Sequence, residues 1–139
     1  MRVLVADDQA AVRAALRWLL KEESGVSVVG EAVRAKDLLA QAEAIQPDLV
    51  LLDWELPGLL AVGFSTRSSL GTIGEARCIL LDVLRALHSC PRVIALSGRP
   101  EVRQEALDAG VDDFVSKGDP PERLLAALRA IRMVRHQNG

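Results

Sequence analysis

Residues 48–58 read DLVLLDWELPG, an apolar run that ends at an acidic residue and is followed by a proline–glycine turn. Residues 49–52 are apolar throughout, which is typical of a parallel strand covered on both of its faces. Similar runs occur at residues 2–6 and 92–96, and more mixed runs occur at residues 26–32 and 113–116. We therefore predict five β-strands, with the two mixed segments nearer the edges of the sheet.

Segments of helical periodicity separate these strands. Apolar side chains recur on one helix face in five intervals, around residues 12–19, 38–45, 80–87, 102–109 and 124–131. Strands that alternate with helices predict an α/β fold, a doubly wound parallel sheet with right-handed crossovers. The expected strand order is 2-1-3-4-5, which places a functional site at the carboxyl ends of strands one and three.

The composition narrows the class of protein further. The chain has 139 residues, of which 50% are hydrophobic and 26% charged, with a formal net charge of −2. It is long enough for one domain and too apolar to be disordered, and its charge argues against direct binding of nucleic acid. No apolar run has the length of a membrane span, and Asp7 and Asp8 end the first run too early for a signal peptide, so a cytoplasmic location is expected. Cys78 and Cys90 lack the spacing of a zinc site or a disulfide framework.

Polar side chains end four of the predicted strands. Asp7 and Asp8 follow strand one, Asp53 ends strand three, Ser97 ends strand four and Lys117 follows strand five. Clustered carboxylates repel each other unless a cation neutralises them, and hard oxygen ligands suit Mg²⁺. A carboxylate nucleophile with a divalent metal, a hydroxyl and a lysine together indicate a site for phosphoryl transfer.

Four motifs carry a resemblance to a known family. They are RVLVADDQ at residues 2–9, DLVLLDWELPG at 48–58, VIALSG at 93–98 and AGVDDFVSKGDPPERLLAAL at 109–128. Together they resemble the receiver domain of bacterial two-component response regulators, and most closely receivers of the NarL/FixJ type. The resemblance implies that residues 1–139 form a single receiver domain, and no output domain is expected within this sequence. A stand-alone receiver and a piece of a DNA-binding regulator are both compatible with it.

The resemblance also implies roles for the acidic residues. Asp53 matches the aspartate that accepts a phosphoryl group from a kinase histidine. Asp7 and Asp8 match the pair that holds Mg²⁺, with Asp8 as the closer ligand and the backbone carbonyl of Glu55 as a further one. Such a domain is a phosphoacceptor that assists its own phosphorylation and dephosphorylation, and not a multiple-turnover enzyme.

Three further positions match the family's switch residues. Ser97 matches the hydroxyl that turns toward the phosphoryl group, Lys117 the lysine that pairs with it, and Phe114 the aromatic residue that rotates inward. Phosphorylation adds negative charge and acceptor oxygens, so it is expected to remodel the surface around the fourth helix, fifth strand and fifth helix. The implied partners are a sensor histidine kinase or phosphotransfer protein and an unknown downstream protein, with a homodimer possible.

The chain departs from the family pattern at several positions. Gly118 follows the lysine where the family usually has proline. Glu55 and Arg99 lie two residues after the acceptor and the switch hydroxyl, and we hypothesise that they pair across the site and restrict the attacking water. Trp54 is expected to be a partly buried flanking residue. The largest departure is an insertion at about residues 59–75, rich in glycine, serine and threonine, between the third strand and third helix. It could cover the site, contact a partner, block the kinase or have no role.

Other functional classes share parts of this pattern. A flavodoxin-like carrier has the same topology, but two aspartates after strand one have the wrong charge for a flavin phosphate. An aspartyl-phosphate hydrolase would use the same kind of nucleophile, but this chain lacks its usual DxD spacing. A degenerate receiver that binds partners without phosphorylation is the remaining alternative.

Overall fold

The computed structural model describes residues 1–60 and 72–138. Within these ranges five parallel strands form one sheet in the order β2-β1-β3-β4-β5. This confirms the predicted topology. The strands are β1 (Arg2–Ala6), β2 (Ser27–Ala32), β3 (Leu49–Asp53), β4 (Arg92–Ser97) and β5 (Asp113–Ser116).

Helices connect consecutive strands and cover both faces of the sheet. They are α1 (Ala10–Lys21), α2 (Ala35–Ile45), α3 (Ile73–Arg85), α4 (Arg103–Ala109) and α5 (Pro121–Asn138), and a 3₁₀ turn at Pro100–Val102 precedes α4. Among the helices of the described ranges, none combines the length and the apolar character needed to cross a bilayer.

Alternating strand residues pack against opposite layers of helices. Leu4, Val50 and Leu52 lie in a core with residues of α2, α3 and α4, whereas Val3 and Leu51 lie in a core with residues of α1 and α5. This alternation follows from the two-residue period of a strand, and it explains why β1, β3 and β4 are apolar on both faces. The partly exposed β2 lies at a sheet edge, as predicted, and β5 lies at the other.

The prediction that Trp54 is partly buried was wrong. Its side chain is only 1% exposed and belongs to the core beneath α3 and α4. The indole fits there because the neighbouring helices contribute small side chains to this core, Ala76 on α3 and Ala106 on α4. Cys78 and Cys90 are free thiols, and both are exposed.

The predicted insertion at 59–75 ends sooner than the glycine-rich sequence suggested. Helix α3 already begins at Ile73, because the Thr72 side chain accepts a hydrogen bond from the Glu75 backbone N–H at 3.1 Å. Such an N-cap offsets the low helix propensity of Gly74. Residues 61–71 of the predicted insertion lie outside the described residues.

Alanine substitutions at two glycines are expected to change the free energy of unfolding in opposite directions. Gly110 ends α4 with φ of +110°, where an L-residue is strained, so Gly110→Ala is expected to lower the free energy of unfolding by about 1–2 kcal/mol. Gly74 lies in the first turn of α3, where an added Cβ would meet, among the described residues, only Thr72 Oγ1, at 3.8 Å. Gly74→Ala is therefore expected to raise the free energy of unfolding by at most about 1 kcal/mol. Urea denaturation of both variants checks the pair, and destabilisation by Gly74→Ala would contradict the second expectation.

Candidate functional site

The carboxyl ends of four strands converge on one edge of the sheet. Backbone hydrogen bonds extend the sheet there beyond the strands, from the Trp54 N–H to Leu96 O at 2.8 Å and from the Lys117 N–H to Ser97 O at 2.8 Å. These bonds hold the ends of β3, β4 and β5 side by side. The residues that follow the strands are therefore brought together, as the topology predicted.

Three carboxylates meet at this edge. Asp7, Asp8 and Asp53 each offer a carboxylate oxygen, and these oxygens all lie within 4.8 Å of one another. Asp7 and Asp53 are buried, with 0% and 3% exposure, whereas Asp8 is exposed. Backbone N–H groups orient the two buried carboxylates, from Gln9 to Asp7 Oδ1 at 2.8 Å and from Glu55 to Asp53 Oδ1 at 3.0 Å.

Lys117 supplies a positive charge between the two buried aspartates. Its Nζ lies 2.8 Å from Asp7 Oδ2 and 3.5 Å from Asp53 Oδ1. Burial disfavours the ammonium form, but the attraction of Asp7 and Asp53 outweighs it and raises the pKa of Lys117 above its usual value. Lys117 is therefore charged and is placed to contact a group bound at Asp53.

Asp53 lies in an environment that disfavours its own charge. Burial raises the pKa of Asp53 to about 6; repulsion by Asp7 and Glu55 acts in the same direction, and the Glu55 N–H and Lys117 oppose the rise. Among the described residues, the ammonium of Lys117 does not by itself offset the carboxylates of Asp7, Asp8 and Asp53. The excess negative charge is a physical reason for a further cation at this position.

The donor set fits Mg²⁺. Every side-chain ligand in the cluster is a carboxylate oxygen, the donor type that hard divalent cations prefer. The exposed Asp8 leaves one side open to water, and Mg²⁺ usually keeps several water ligands. The cluster contains the side-chain metal ligands that the sequence predicted, Asp7, Asp8 and Asp53.

Ser97 is held by Glu55, and the hypothesis that Glu55 pairs with Arg99 was wrong. The fully buried Ser97 Oγ donates to Glu55 Oε1 at 2.7 Å and accepts from the Arg99 backbone N–H at 3.0 Å. The Arg99 side chain instead pairs with Glu101 at 3.3 Å. The physical reason is proximity, since Glu101 lies two residues away in an exposed turn where the guanidinium stays hydrated.

Phe114 is buried already, with 2% exposure, in the core on the side of α4. The small side chains of Ala95 and Ala106 in this core leave room for the ring. Rotation of Phe114 on phosphorylation stays a prediction. Its backbone carbonyl accepts hydrogen bonds from Arg103 of α4 at 3.4 Å and from Arg123 of α5 at 3.1 Å.

Sequence reasoning missed Arg13. Its guanidinium donates to the Asp7 backbone carbonyl at 2.8 Å and pairs with Glu31 of β2 at 3.1 Å, so it supports the loop that carries the acidic pair. The sequence shows only an arginine on an amphipathic helix, and such an arginine is common on any surface helix. This pattern alone therefore could not have identified Arg13. Its role depends on the fold around it.

Comparison with known proteins identifies relatives across nearly the whole chain. Residues 3–129 match the family model of the response regulator receiver domain. The nitrate/nitrite response regulator protein NarL of Escherichia coli (strain K12) is 31% identical over 128 residues, covering 91% of this chain and 52% of that protein. The response regulator UvrY of the same strain is 28% identical over 131 residues, covering 94% of this chain and 54% of that protein.

Solved structures give the same result for the fold. A LuxR-family two-component response regulator from Aurantimonas sp. SI85-9A1 superposes with a TM-score of 0.72 at 26% identity, covering 94% of this chain and 83% of that one. The signal receiver domain of a putative NarL from Mycobacterium tuberculosis gives 0.70 at 25% identity, covering 94% and 95%. The chain spans about half the length of the curated relatives it matches.

Proposed function

Because the chain belongs to the response regulator receiver domain family, which serves two-component signalling by phosphorylation, we propose that Asp53 accepts a phosphoryl group in the presence of Mg²⁺. The proposed donor is a sensor histidine kinase or a phosphotransfer protein, and the proposed place of action is the cytoplasm, as for the family. The observation that supports the proposal most is the position of Lys117 Nζ, between the buried carboxylates of Asp7 and Asp53.

The proposed transfer is a displacement at phosphorus. A carboxylate oxygen of Asp53 attacks the phosphorus atom, an O–P bond forms, and the P–N bond of the phosphohistidine breaks with its electron pair going to the imidazole. Asp7, Asp8 and Asp53, with the backbone carbonyl of Glu55, would hold Mg²⁺, which neutralises charge on the transferred group when it is bound. Lys117, whose ammonium lies next to Asp53, would contact the phosphoryl oxygens.

The proposed output begins at Ser97. Its hydroxyl now donates to the Glu55 carboxylate and would instead donate to a phosphoryl oxygen, because phosphorylation adds acceptor oxygens beside Ser97 and negative charge that repels Glu55. The Arg99 N–H donates a hydrogen bond to the Ser97 hydroxyl, so movement of this hydroxyl would draw the segment between β4 and α4 toward the site. Arg103 and Arg123 link α4 and α5 to the Phe114 carbonyl, which supports α4, β5 and α5 as the surface that changes.

Intact-mass measurement with acetyl phosphate tests the proposed function. We expect one added phosphoryl group in the presence of Mg²⁺ and none when EDTA removes it. No addition under either condition would contradict phosphotransfer and favour a receiver that binds its partners without phosphorylation. Many turnovers of a model phosphate ester per protein would contradict the role of a phosphoacceptor and favour a hydrolase.

Replacing either aspartate of the acidic pair is expected to weaken Mg²⁺ binding, but only one of the two replacements also disturbs an ion pair. Removing one carboxylate charge next to a divalent ion is expected to weaken Mg²⁺ binding by about tenfold or more in both Asp7→Asn and Asp8→Asn. Only Asp7→Asn also weakens an ion pair of Lys117, because among the described residues Lys117 pairs with Asp7 and Asp53 and not with Asp8. Calorimetric titration with MgCl₂ checks this, with Asp82→Asn on the exposed side of α3 as the control. Equal affinity in all variants would remove the proposed metal site.

A further inference from the structure

The indole that follows the phosphoacceptor is held by polar side chains of two different helices. Trp54 Nε1 donates to Glu105 Oε2 of α4 at 3.3 Å. The guanidinium of Arg77 on α3 lies over the indole, 4.9 Å from its centroid, and its Nη1 lies 3.8 Å from Glu105 Oε1. We call Trp54, Arg77 and Glu105 the Trp54 clamp.

These contacts depend on the position of α4. A buried indole N–H needs an acceptor, and here the acceptor is a half-exposed side chain on a short helix rather than a backbone carbonyl of the sheet. Arg77 is mostly buried, and its Nε makes no hydrogen bond to any residue that the structure describes. Among the described residues, its recorded polar and ring contacts are the indole of Trp54 and Glu105. A shift of α4 would leave both the indole N–H and the guanidinium with a weaker partner.

A short stretch of chain connects the switch hydroxyl to the Trp54 clamp. Ser97 Oγ accepts a hydrogen bond from the Arg99 N–H. The 3₁₀ turn at Pro100–Val102 follows Arg99, and Glu105 lies in the first turn of α4. On the other side, the backbone of Trp54 directly follows Asp53 and donates to Leu96 O. Movement of Ser97 toward a phosphoryl group therefore pulls on α4, while the Trp54 clamp holds α4 in place.

We propose that Arg77 and Glu105 are positioning residues that hold α4 against Trp54 and so stabilise the unphosphorylated arrangement. This inference rests on the proposed function, because it assumes that Asp53 receives a phosphoryl group. Coupling of this kind is reciprocal: if an occupied site weakens the Trp54 clamp, breaking the clamp must favour occupation of the site.

Removing the second tryptophan allows Trp54 to be observed alone. Trp18 is 74% exposed, so Trp18→Phe provides a background in which fluorescence reports only Trp54. In this background we would compare Glu105→Leu, Glu105→Gln, Arg77→Leu and the double variant with leucine at both positions. Asp108→Asn is the matched control, since Asp108 lies on the same helix and bonds only Gln104 within it among the described contacts. Circular dichroism would confirm that each variant is folded.

Two measurements separate the Trp54 clamp from its effect on the site. Without ligands, acrylamide is expected to quench Trp54 more strongly in Glu105→Leu than in the background and the Asp108→Asn control. In fluorine NMR titrations with beryllofluoride and Mg²⁺, Glu105→Leu and Arg77→Leu are expected to bind about three- to tenfold more tightly than the background. Glu105→Gln, which keeps an acceptor for the indole N–H, is expected to be intermediate, and the double variant is expected to gain no more than the larger single change.

The possible failures are distinguishable. Unchanged or weaker beryllofluoride binding in the leucine variants, beside normal binding by the background, would overturn the coupling and leave the proposed function intact. Unchanged quenching in Glu105→Leu would overturn the Trp54 clamp itself. A background protein that binds no beryllofluoride and gains no phosphoryl mass would overturn the proposed function together with the coupling.

Discussion

Asp53→Asn is expected to abolish the addition of a phosphoryl group from acetyl phosphate. The amide keeps the size of the side chain and can still accept the Glu55 N–H, but it has neither the negative charge nor the nucleophilic oxygen that attack at phosphorus requires. Because a carboxylate is lost from a cluster of three, the variant is also expected to be at least as stable as the parent. Intact-mass measurement gives the first result, and urea denaturation gives the second.

The control for this prediction is another aspartate exchanged in the same way. Asp82→Asn changes an exposed side chain on α3 and is expected to leave both phosphorylation and stability unaltered. Phosphoryl addition that persists in Asp53→Asn would show that a different residue accepts the group. Addition lost from both variants would point to a fault in the phosphodonor assay.

Lys117→Met is expected to slow phosphorylation by about tenfold to a hundredfold, because a hydrogen bond to a charged group contributes about 1.5–3 kcal/mol. The methionine retains much of the apolar stem and removes the ammonium that lies 2.8 Å from Asp7 and 3.5 Å from Asp53. The rate of mass addition at fixed concentrations of acetyl phosphate and saturating Mg²⁺ measures the effect.

The same substitution is expected to tighten Mg²⁺ binding. Lys117 and the metal ion both neutralise the acidic cluster, so removing the lysine removes a repulsive charge from the metal's surroundings. Slower phosphotransfer together with tighter metal binding is specific to a lysine that contacts the phosphoryl group, because a merely unfolded site would lose both. Lys36→Met, which changes an exposed lysine of α2, is the control for both measurements.

Much of the fold could be predicted from local patterns. Apolar runs such as residues 49–52 indicated buried parallel strands, and the polar residues that follow them indicated a functional site at the carboxyl ends of these strands. The boundaries were harder to predict where glycine was abundant, and α3 begins at Ile73, inside the segment that was expected to be irregular. A single capping side chain, Thr72, outweighed the composition there.

For the site, the sequence predicted which side chain lies at the end of each strand. That level of prediction is reliable because strand order and polarity determine which residues share an edge, whatever their rotamers. The buried position of Trp54 and the bond from Ser97 to Glu55 were not predictable in this way. Residues at the same edge have several partners within reach, so the choice among them depends on side-chain packing.

The sequence by itself therefore determined the α/β fold, the strand order and the convergence of Asp7, Asp53 and Lys117, because these follow from periodicity and from the direction of parallel strands. Only the tertiary structure decided that Glu55 pairs with Ser97 and that the Trp54 clamp joins α3 and α4 to the phosphoacceptor strand. The physical reason is that these contacts join residues far apart in the chain, through side chains whose orientation the surrounding packing selects.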